Sequence, residues 1–278
     1  MEKLKKICEG PLPIGFLENL KIISVNNCGV LLSVLSCALL CRVNNLKSLE
    51  VNECLQLQQV FQSQGIAVEH YVLPSLKKLK LKELPKLSNI WKEPIPAGSL
   101  QTLEELYVGC CNSMKSLLTF SQAQRLTQLM ILQISKCDQL ESLISDVEIS
   151  KGPPGRSLIF QNLRQWSFGR TEQKSSAAGG TRGDQVEKEA LPQLRTLILH
   201  RLANLRSFCR GGELLELASL ECVRVSRCPK LKRLPLGVGT APKLQVIEGT
   251  DREWLQGLDR EDESIKSHFL GFFKCIEK

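Results

Sequence analysis

Residues 73–87 read L-P-S-L-K-K-L-K-L-K-E-L-P-K-L, and this stretch decides the fold of the chain. Its leucines are separated by three, three, two, three and three positions, at Leu73, Leu76, Leu79, Leu81, Leu84 and Leu87. Self-similarity along a sequence fixes the architecture before any local assignment of helix or strand. We therefore compare the rest of the chain with this segment.

The same spacing recurs along almost all of the 278 residues, at steps of 24 to 34 residues. Successive copies begin at Leu17, Val43, Leu73, Leu100, Leu126, Phe160, Leu191, Leu217 and Ala241. The copy at Phe160 is degenerate, with Thr171 in place of the usual Cys or Leu, and the last copy has Gly249 in its second strand position. The chain thus contains about nine related units.

Units of roughly this length and spacing are leucine-rich repeats. Leu79 and Leu81 alternate along a short strand and point into a core, while the lysines between them point outward. One coil cannot bury its apolar edge alone, so neighbouring coils stack and their strands form a parallel sheet. The sequence predicts an α/β repeat protein, a leucine-rich-repeat solenoid (horseshoe), with parallel strands on the concave face and irregular or short helical return legs.

The solenoid is expected over residues 1–250, with four local features. The apolar stretch from Gly29 to Cys41 is predicted to be a buried helix on a return leg, and it is shorter than the roughly 20 residues that span a bilayer. Residues 145–157 and 170–190 are rich in Gly, Ser and charge and are predicted to be flexible loops. Residues 251–278, with scattered aromatic residues, are predicted to cap the open end.

The segment from Met1 to Cys8 aligns without a gap with the return leg that starts at Leu84. The chain is therefore expected to begin inside a repeat, with its first repeat truncated.

Cysteine usage indicates a reducing, intracellular compartment. Five of the 12 cysteines recur at one repeat position, where a small apolar side chain with a weak donor suits a tight turn. No C-x-x-C pair occurs and only three histidines are present, so neither a disulfide framework nor a metal site is expected. The recurrent cysteines are Cys28, Cys54, Cys111, Cys137 and Cys228.

The net charge of +8 is unevenly distributed, with a lysine cluster around residues 77–92. Such a face suits an acidic protein, an acidic lipid or nucleic acid, or is simply solvated. Nucleic acid is not favoured, because no aromatic residues that could stack on bases interleave with the lysines. We find no signal peptide and no transmembrane segment, and we expect a cytoplasmic protein that could also lie peripherally at the plasma membrane.

The motifs of common enzymes are missing. The sequence contains no G-x-x-x-x-G-K-[ST], G-x-S-x-G or H-E-x-x-H, and His200, on a predicted strand face, has no catalytic neighbours in its register. We therefore expect no enzymatic activity and no cofactor.

Several segments together resemble a known family. Residues 17–28 (L-E-N-L-K-I-I-S-V-N-N-C), residues 73–91 and the tail W-L-Q-G-L-D-R-E-D-E-S-I-K-S-H-F are similar to the C-terminal repeats of plant coiled-coil nucleotide-binding leucine-rich-repeat disease-resistance proteins. Trp254 matches that family, whereas Leu258 stands where a second Trp is often found.

The resemblance implies a protein-recognition module of an intracellular immune receptor. Such a module senses a pathogen effector or a modified host protein and restrains a nucleotide-binding module, which this chain lacks. The alternative is an F-box-type substrate-recognition subunit of a ubiquitin ligase, although no I-T-D-like stretch follows the cysteines.

The period of two along each strand assigns the outward positions, which form the expected recognition face. Tyr107 is the preferred anchor, because a large amphipathic ring suits an interface hot spot. The candidate protein-binding residues are Ser48, Glu50, Asn52, Lys78, Lys80, Lys82, Glu105, Tyr107, Gln133, Thr196, Ile198, His200, Arg224 and Glu248.

Overall fold

The structure is a computed structural model, which describes residues 4–8, 13, 15–62, 71–91, 96, 98–145, 188–210, 215–232, 234–237, 239–249 and 270–275. Its elements, in chain order, are β1 (Ile22–Asn26), β2 (Ser33–Leu35), α1 (Cys37–Leu40), β3 (Ser48–Asn52), β4 (Gln59–Phe61), β5 (Lys78–Lys82), β6 (Asn89–Trp91), β7 (Glu105–Gly109), β8 (Ser116–Thr119), α2 (Phe120–Arg125), β9 (Ile131–Ser135), β10 (Ser142–Ser145), β11 (Lys188–Glu189), β12 (Thr196–His200), β13 (Ser207–Cys209), β14 (Leu215–Glu216), β15 (Cys222–Ser226), β16 (Val246–Gly249) and β17 (Phe273–Cys275).

One parallel sheet of nine strands connects the coils, in the order β1-β3-β5-β7-β9-β12-β15-β16-β17. Equivalent residues pair across it, so Leu49 lies beside Leu79, and Leu79 beside Leu106. Each described copy of the repeat supplies one strand, with a short return leg between strands. The predicted leucine-rich-repeat solenoid with parallel strands is confirmed.

Burial alternates along these strands with the predicted period of two. Leu79 and Leu81 are 1% exposed, whereas Lys80 and Lys82 between and beyond them are exposed. The leucines at the turn positions, such as Leu84 and Leu87, are fully buried. Each buried leucine contributes about 1.5–3 kcal/mol of transfer free energy, so the stack is held by many similar contributions.

The sheet passes directly from β9 to β12, whose five residues pair in register from Ile131 with Thr196 to Ser135 with His200. The degenerate copy at 160–171 and most of the predicted loops at 145–157 and 170–190 lie outside the described residues. Because β9 and β12 are neighbours, the coils before and after that segment are adjacent in the sheet.

The segments between the main strands form three smaller parallel sheets, ordered β2-β4-β6, β13-β10-β8 and β11-β14. The rings of Phe61 and Trp91, at the ends of β4 and β6, pack with their centroids 4.7 Å apart. The stretch from Gly29 to Cys41 is not the single helix that we expected. It is divided between β2 and the four-residue α1, because Ser33 and Leu35 pair with the neighbouring return leg.

A residue with left-handed backbone follows most strands of the nine-stranded sheet. These residues have φ near +55°, although none of them is glycine. The first six, from Asn27 to Arg201, each donate their N–H to the last strand carbonyl of the next coil. Glu53 N donates to Lys82 O at 3.1 Å, and Lys136 N to His200 O at 2.9 Å. They are Asn27, Glu53, Glu83, Cys110, Lys136, Arg201 and Arg227.

The recurrent cysteines come directly after these residues and are 0–3% exposed. Each thiol donates to the carbonyl two residues earlier, as Cys111 does to Gly109 at 3.4 Å and Cys137 to Ser135 at 3.4 Å. The thiol thus bridges the tight turn from inside the core, which accounts for cysteine at this position. All 12 cysteines are free, and the described residues contain no group of His, Cys, Asp and Glu that could hold a metal ion.

The described part of the tail forms a strand. β17 pairs in parallel with β16, Ile247 beside Phe273 and Gly249 beside Cys275, so the tail extends the main sheet by one strand. The rest of the predicted cap, residues 251–269 and 276–278, lies outside the described residues. In the regions that the structure covers, no helix has the length and apolar character needed to cross a bilayer.

We predict that a thiol reagent applied to the native protein labels Cys41 and Cys275, which are exposed, much faster than the recurrent cysteines. Burial protects the recurrent cysteines sterically, and it raises the pKa of the Cys54 thiol and raises that of Cys228 to about 11, which lowers the thiolate fraction. Burial raises the pKa of Cys41 as well, so access to the thiol is what separates Cys41 from the recurrent cysteines. Peptide mass mapping after brief labelling measures this. Rapid labelling of Cys54 or Cys228 in the folded protein would contradict it.

We also predict that Glu83→Val lowers the free energy of unfolding by about 1–2 kcal/mol, because a β-branched residue tolerates φ near +57° poorly. The matched change Glu83→Gly removes the same carboxylate and leaves stability unchanged or slightly raised. Urea unfolding of the three proteins measures the difference. Equal midpoints for the Val and Gly variants would show that the turn carries no such constraint.

Candidate functional site

The solvent-facing side of the nine-stranded sheet, which we call the sheet face, carries all the residues predicted to bind. In-register pairing arranges them in rows that cross the coils. The central row, for example, places Glu50 beside Lys80, and Lys80 beside Tyr107. The residues of this face are Ser48, Glu50, Asn52, Lys78, Lys80, Lys82, Glu105, Tyr107, Gln133, Thr196, Ile198, His200, Arg224 and Glu248, all of them exposed or half-buried.

A compact group forms where β5 meets β7. Lys78 Nζ lies 3.1 Å from Glu105 Oε2 and 5.2 Å from the centre of the Tyr107 ring. The Tyr107 hydroxyl donates to the same Glu105 oxygen at 3.0 Å. The hydrogen bond to Glu105 raises the pKa of Lys78, while burial and the bond to Glu105 raise the pKa of Tyr107. Tyr107 is therefore a positioned ring with a neutral hydroxyl.

Two further ion pairs neutralise charged side chains on or beside the sheet face. Arg224 donates through Nε and Nη2 to one carboxylate oxygen of Glu248 on the neighbouring strand. Lys82 Nζ lies 3.0 Å from Glu83 Oε1, and this pair raises the pKa of Lys82. Lys80 makes no ion pair with any residue that the structure describes. Its charge is available to a partner.

A cleft of about 220 Å³ opens on the sheet face around Gly109. Gly109 is the last residue of β7 and lies between Lys82 on β5 and Ser135 on β9. The φ of Gly109 is not positive, so the backbone conformation does not require glycine at this position. Because glycine has no side chain, the space above the backbone stays open. The cleft is bordered by Lys80, Lys82, Tyr107, Gln133, Ser135 and Lys136.

One border of this cleft continues as a row of cations, Lys136, Arg201 and Arg227, which we call the basic row. These are the left-handed residues of three successive coils, so their backbones are about 4.8 Å apart. All three side chains are exposed, and none forms an ion pair within the described ranges. His200 lies among them, and burial together with Arg201, Arg227 and Lys136 lowers its pKa.

Reasoning from the sequence thus placed most strand residues on one face, but it missed the last residues of β7 and β9 and the turn residues beside the face. Gly109, Ser135, Lys136, Arg201 and Arg227 were not among the predicted site residues. A signal for them exists in the sequence, because the position before each recurrent Cys or Leu must leave the strand. Extending the register by one position would have shown three cations in succession.

The described face offers charge and hydrogen bonding but no arrangement for catalysis. His200 is surrounded by cations and lacks a carboxylate to orient it, and the Lys78–Glu105–Tyr107 group is paired internally. The surface is suited to holding an anionic or polar partner.

We predict that His200 titrates below the ordinary histidine pKa of about 6.5, and that Arg227→Gln raises its pKa because one neighbouring cation is removed. Since the folded chain takes up this proton less readily than the unfolded chain, stability falls as the pH drops below about 6.5. NMR titration measures the shift, with His200→Gln to assign the signal. An unchanged pKa in Arg227→Gln, compared with the distant Lys115→Gln, would contradict it.

Comparison with known proteins identifies the repeats. Residues 1–138 match the family described as plant disease resistance protein RPS2-like, leucine-rich repeats. The chain is 25% identical over 246 residues to the disease resistance protein At4g27190 of Arabidopsis thaliana, covering 83% of this chain and 23% of the relative. It is 34% identical over 84 residues to the disease resistance protein SUMM2 of the same plant, covering 30% and 9%.

Among solved structures, the chain is similar to the leucine-rich repeat domain of the type III effector XopL. That match is 18% identical, has a TM-score of 0.46 and covers 83% of this chain and 69% of the other.

The chain spans only 9% to 30% of the length of the curated relatives that it matches. Those relatives bear the names of disease resistance proteins, and the family match falls on the repeats described above. The leucine-rich repeats of residues 1–138 therefore belong to the plant disease resistance proteins of the RPS2-like family.

Proposed function

We propose that the chain is the protein-recognition module of an intracellular plant immune receptor. In this proposal the sheet face senses a pathogen effector or a modified host protein. It also helps to restrain a nucleotide-binding module until recognition occurs. The chain acts by binding and not by catalysis, and it works in the cytoplasm, either free or at the inner side of the plasma membrane.

The observation that carries this proposal is the sheet face itself. Across at least eight coils most of its side chains are polar or charged, with the apolar Ile22, Ile131, Ile198 and Val246 among them, and they are set at fixed spacing by an in-register parallel sheet. A rigid, extended and polar surface suits recognition of another protein, because little side-chain and backbone entropy is lost on binding. Tyr107, held by Glu105 and Lys78, is the best-positioned aromatic anchor.

Free cysteines and disease-resistance relatives support the cellular setting. All 12 thiols are unbridged, which suits a reducing compartment. The F-box alternative has no comparable support, since the matched relatives are named as disease resistance proteins.

The test uses the receptor that contains these repeats, expressed in leaf tissue, with Lys78, Lys80 and Lys82 all changed to Glu. We expect either cell death without a pathogen, if the face restrains the nucleotide-binding module, or loss of the response to the recognised effector. Reversal of three adjacent charges places like charges opposite a complementary partner, which disfavours docking strongly. The readouts are ion leakage from the leaf and protein abundance.

The matched control reverses Lys115, Arg206 and Lys232, which are exposed on the return legs. Backbone hydrogen bonds align these residues in a stack, since Arg206 N donates to Glu141 O at 2.9 Å and Lys232 N to Arg206 O at 3.1 Å. This triple variant makes the same change in net charge away from the sheet face. Unaltered signalling in the sheet-face variant, at normal abundance, would refute the proposal for this face.

A further inference from the structure

We propose that the cleft around Gly109, together with the basic row beside it, binds an acidic segment of a partner protein, with a Glu or Asp carboxylate seated in the cleft. The inference rests on the proposed function as a recognition module and specifies the chemistry of what is recognised. It concerns residues of β5, β7, β9 and the turns after β9, β12 and β15.

The border of the cleft is cationic and contains no acidic residue. Lys80 and Lys82 approach it from β5 and Lys136 approaches it from the turn after β9, while Ser135 and Gln133 add neutral hydrogen-bonding groups. Lys82 forms an ion pair with Glu83, but Lys80 and Lys136 form no ion pair with any residue in the described ranges. Two lysines that face a common space without a counter-ion repel each other, and a bound carboxylate removes that repulsion.

The size of the cleft favours a side chain over a free small molecule. Its volume of about 220 Å³ is below the roughly 300–1,000 Å³ of typical ligand pockets. It also opens on the sheet face instead of closing over a ligand. A side chain anchored there would be held by its own main chain crossing the sheet face.

The basic row extends the site in one direction. Lys136 borders the cleft, and Arg201 and Arg227 continue from it at about 4.8 Å per coil. A chain that places one carboxylate in the cleft and crosses toward β15 passes further cations. This continuity favours an acidic segment with several carboxylates over a single isolated one.

Charge on the neighbouring coils disfavours nucleic acid as the occupant. Glu50, Glu53 and Glu105 lie on the coils at and before the cleft, where they would repel a continuous polyanion. Tyr107 is the one aromatic residue that borders the cleft, and Lys78 already lies over its ring, so a run of bases finds no stacking platform. A protein segment can match this mixture of signs residue by residue.

The experiment measures fluorescence anisotropy of the purified full chain with a short labelled peptide, in which Glu alternates with Gly and Ser, at low ionic strength. An otherwise identical peptide with Gln in place of Glu is the ligand control. We expect the Glu peptide to bind and the Gln peptide not to bind. Added salt should weaken binding, because exposed charges are screened.

The decisive variant is Lys80→Glu with Lys136→Glu, compared with Lys115→Glu with Arg206→Glu on the return legs. Both double variants change the net charge equally, and all four residues are exposed, so folding is retained. We expect the cleft variant to weaken binding by about tenfold or more, as for lost charge-assisted hydrogen bonds, and the control by less than about twofold. Equal weakening in both would overturn the proposal, since binding would then follow net charge alone.

Gly109→Val tests the cleft without changing charge. A Cβ at this position comes 3.2 Å from Ser135 Oγ, a hydroxyl that can rotate away, and the remaining atoms fill the cleft. We expect binding to weaken by about tenfold while the salt dependence persists; unchanged binding in the folded variant would overturn the cleft as the seat. If this variant does not fold, the double variants decide.

The outcome separates this inference from the proposed function. Absence of Glu-peptide binding, or stronger binding of an oligothymidine competitor, overturns the acidic-segment inference. The proposed function is judged by the leaf assay, which does not depend on the peptide.

Discussion

Hydrogen bonds between neighbouring coils are the constraint on which the rest of the structure depends. At each strand entry, two successive N–H groups donate to one carbonyl of the preceding coil. Lys47 N and Ser48 N donate to Lys21 O at 2.7 and 3.1 Å. The described helices are only four and six residues long, so few backbone groups are satisfied within a coil. Each coil is therefore completed by its neighbours, both in its hydrogen bonds and in the burial of its leucines.

The turn that ends each strand has an energetic cost that the stack offsets. A non-glycine residue with φ near +55° is disfavoured by about 1–2 kcal/mol, yet seven coils use one. The compensation is local, since the residue's N–H reaches the next coil and a following thiol or leucine is buried beneath the turn. Cysteine serves here because its sulfur fills the core like a small apolar group and can still donate to the last strand carbonyl.

The features that depend on periodicity could be predicted from the sequence. The strands, their inward leucines and the outward row that contains Lys80 and Tyr107 follow from spacing alone, because a period of two assigns each side chain to a face. Features that depend on which coils become neighbours could not be predicted. The direct pairing of β9 with β12 is one of them, because the spacing of the copies does not indicate that these two strands are adjacent.

The contents of the candidate site divide in the same way. The Lys78–Glu105 contact follows from register, since the two residues stand directly opposite on β5 and β7. The cleft around Gly109 does not follow from the register alone. A glycine at the end of a strand does not indicate a cleft unless the positions of the flanking lysines are also known. The division of the stretch from Gly29 to Cys41 into β2 and α1 depended on a partner strand, and apolar content alone does not distinguish a buried strand from a buried helix.

Because core and surface positions are separate, the regular nine-stranded sheet can carry a surface whose charge differs from one end to the other. Inward positions are fixed by packing, whereas turn residues with left-handed backbone need only tolerate that conformation and are otherwise free to carry any charge. Along these turn residues the side-chain charge changes from negative at Glu53 and Glu83 to positive at Lys136, Arg201 and Arg227. The acidic end of a partner segment is therefore attracted by Lys136, Arg201 and Arg227 and repelled by Glu53 and Glu83. Charge order along the turns can thus set the orientation of a bound chain without altering a single residue of the core.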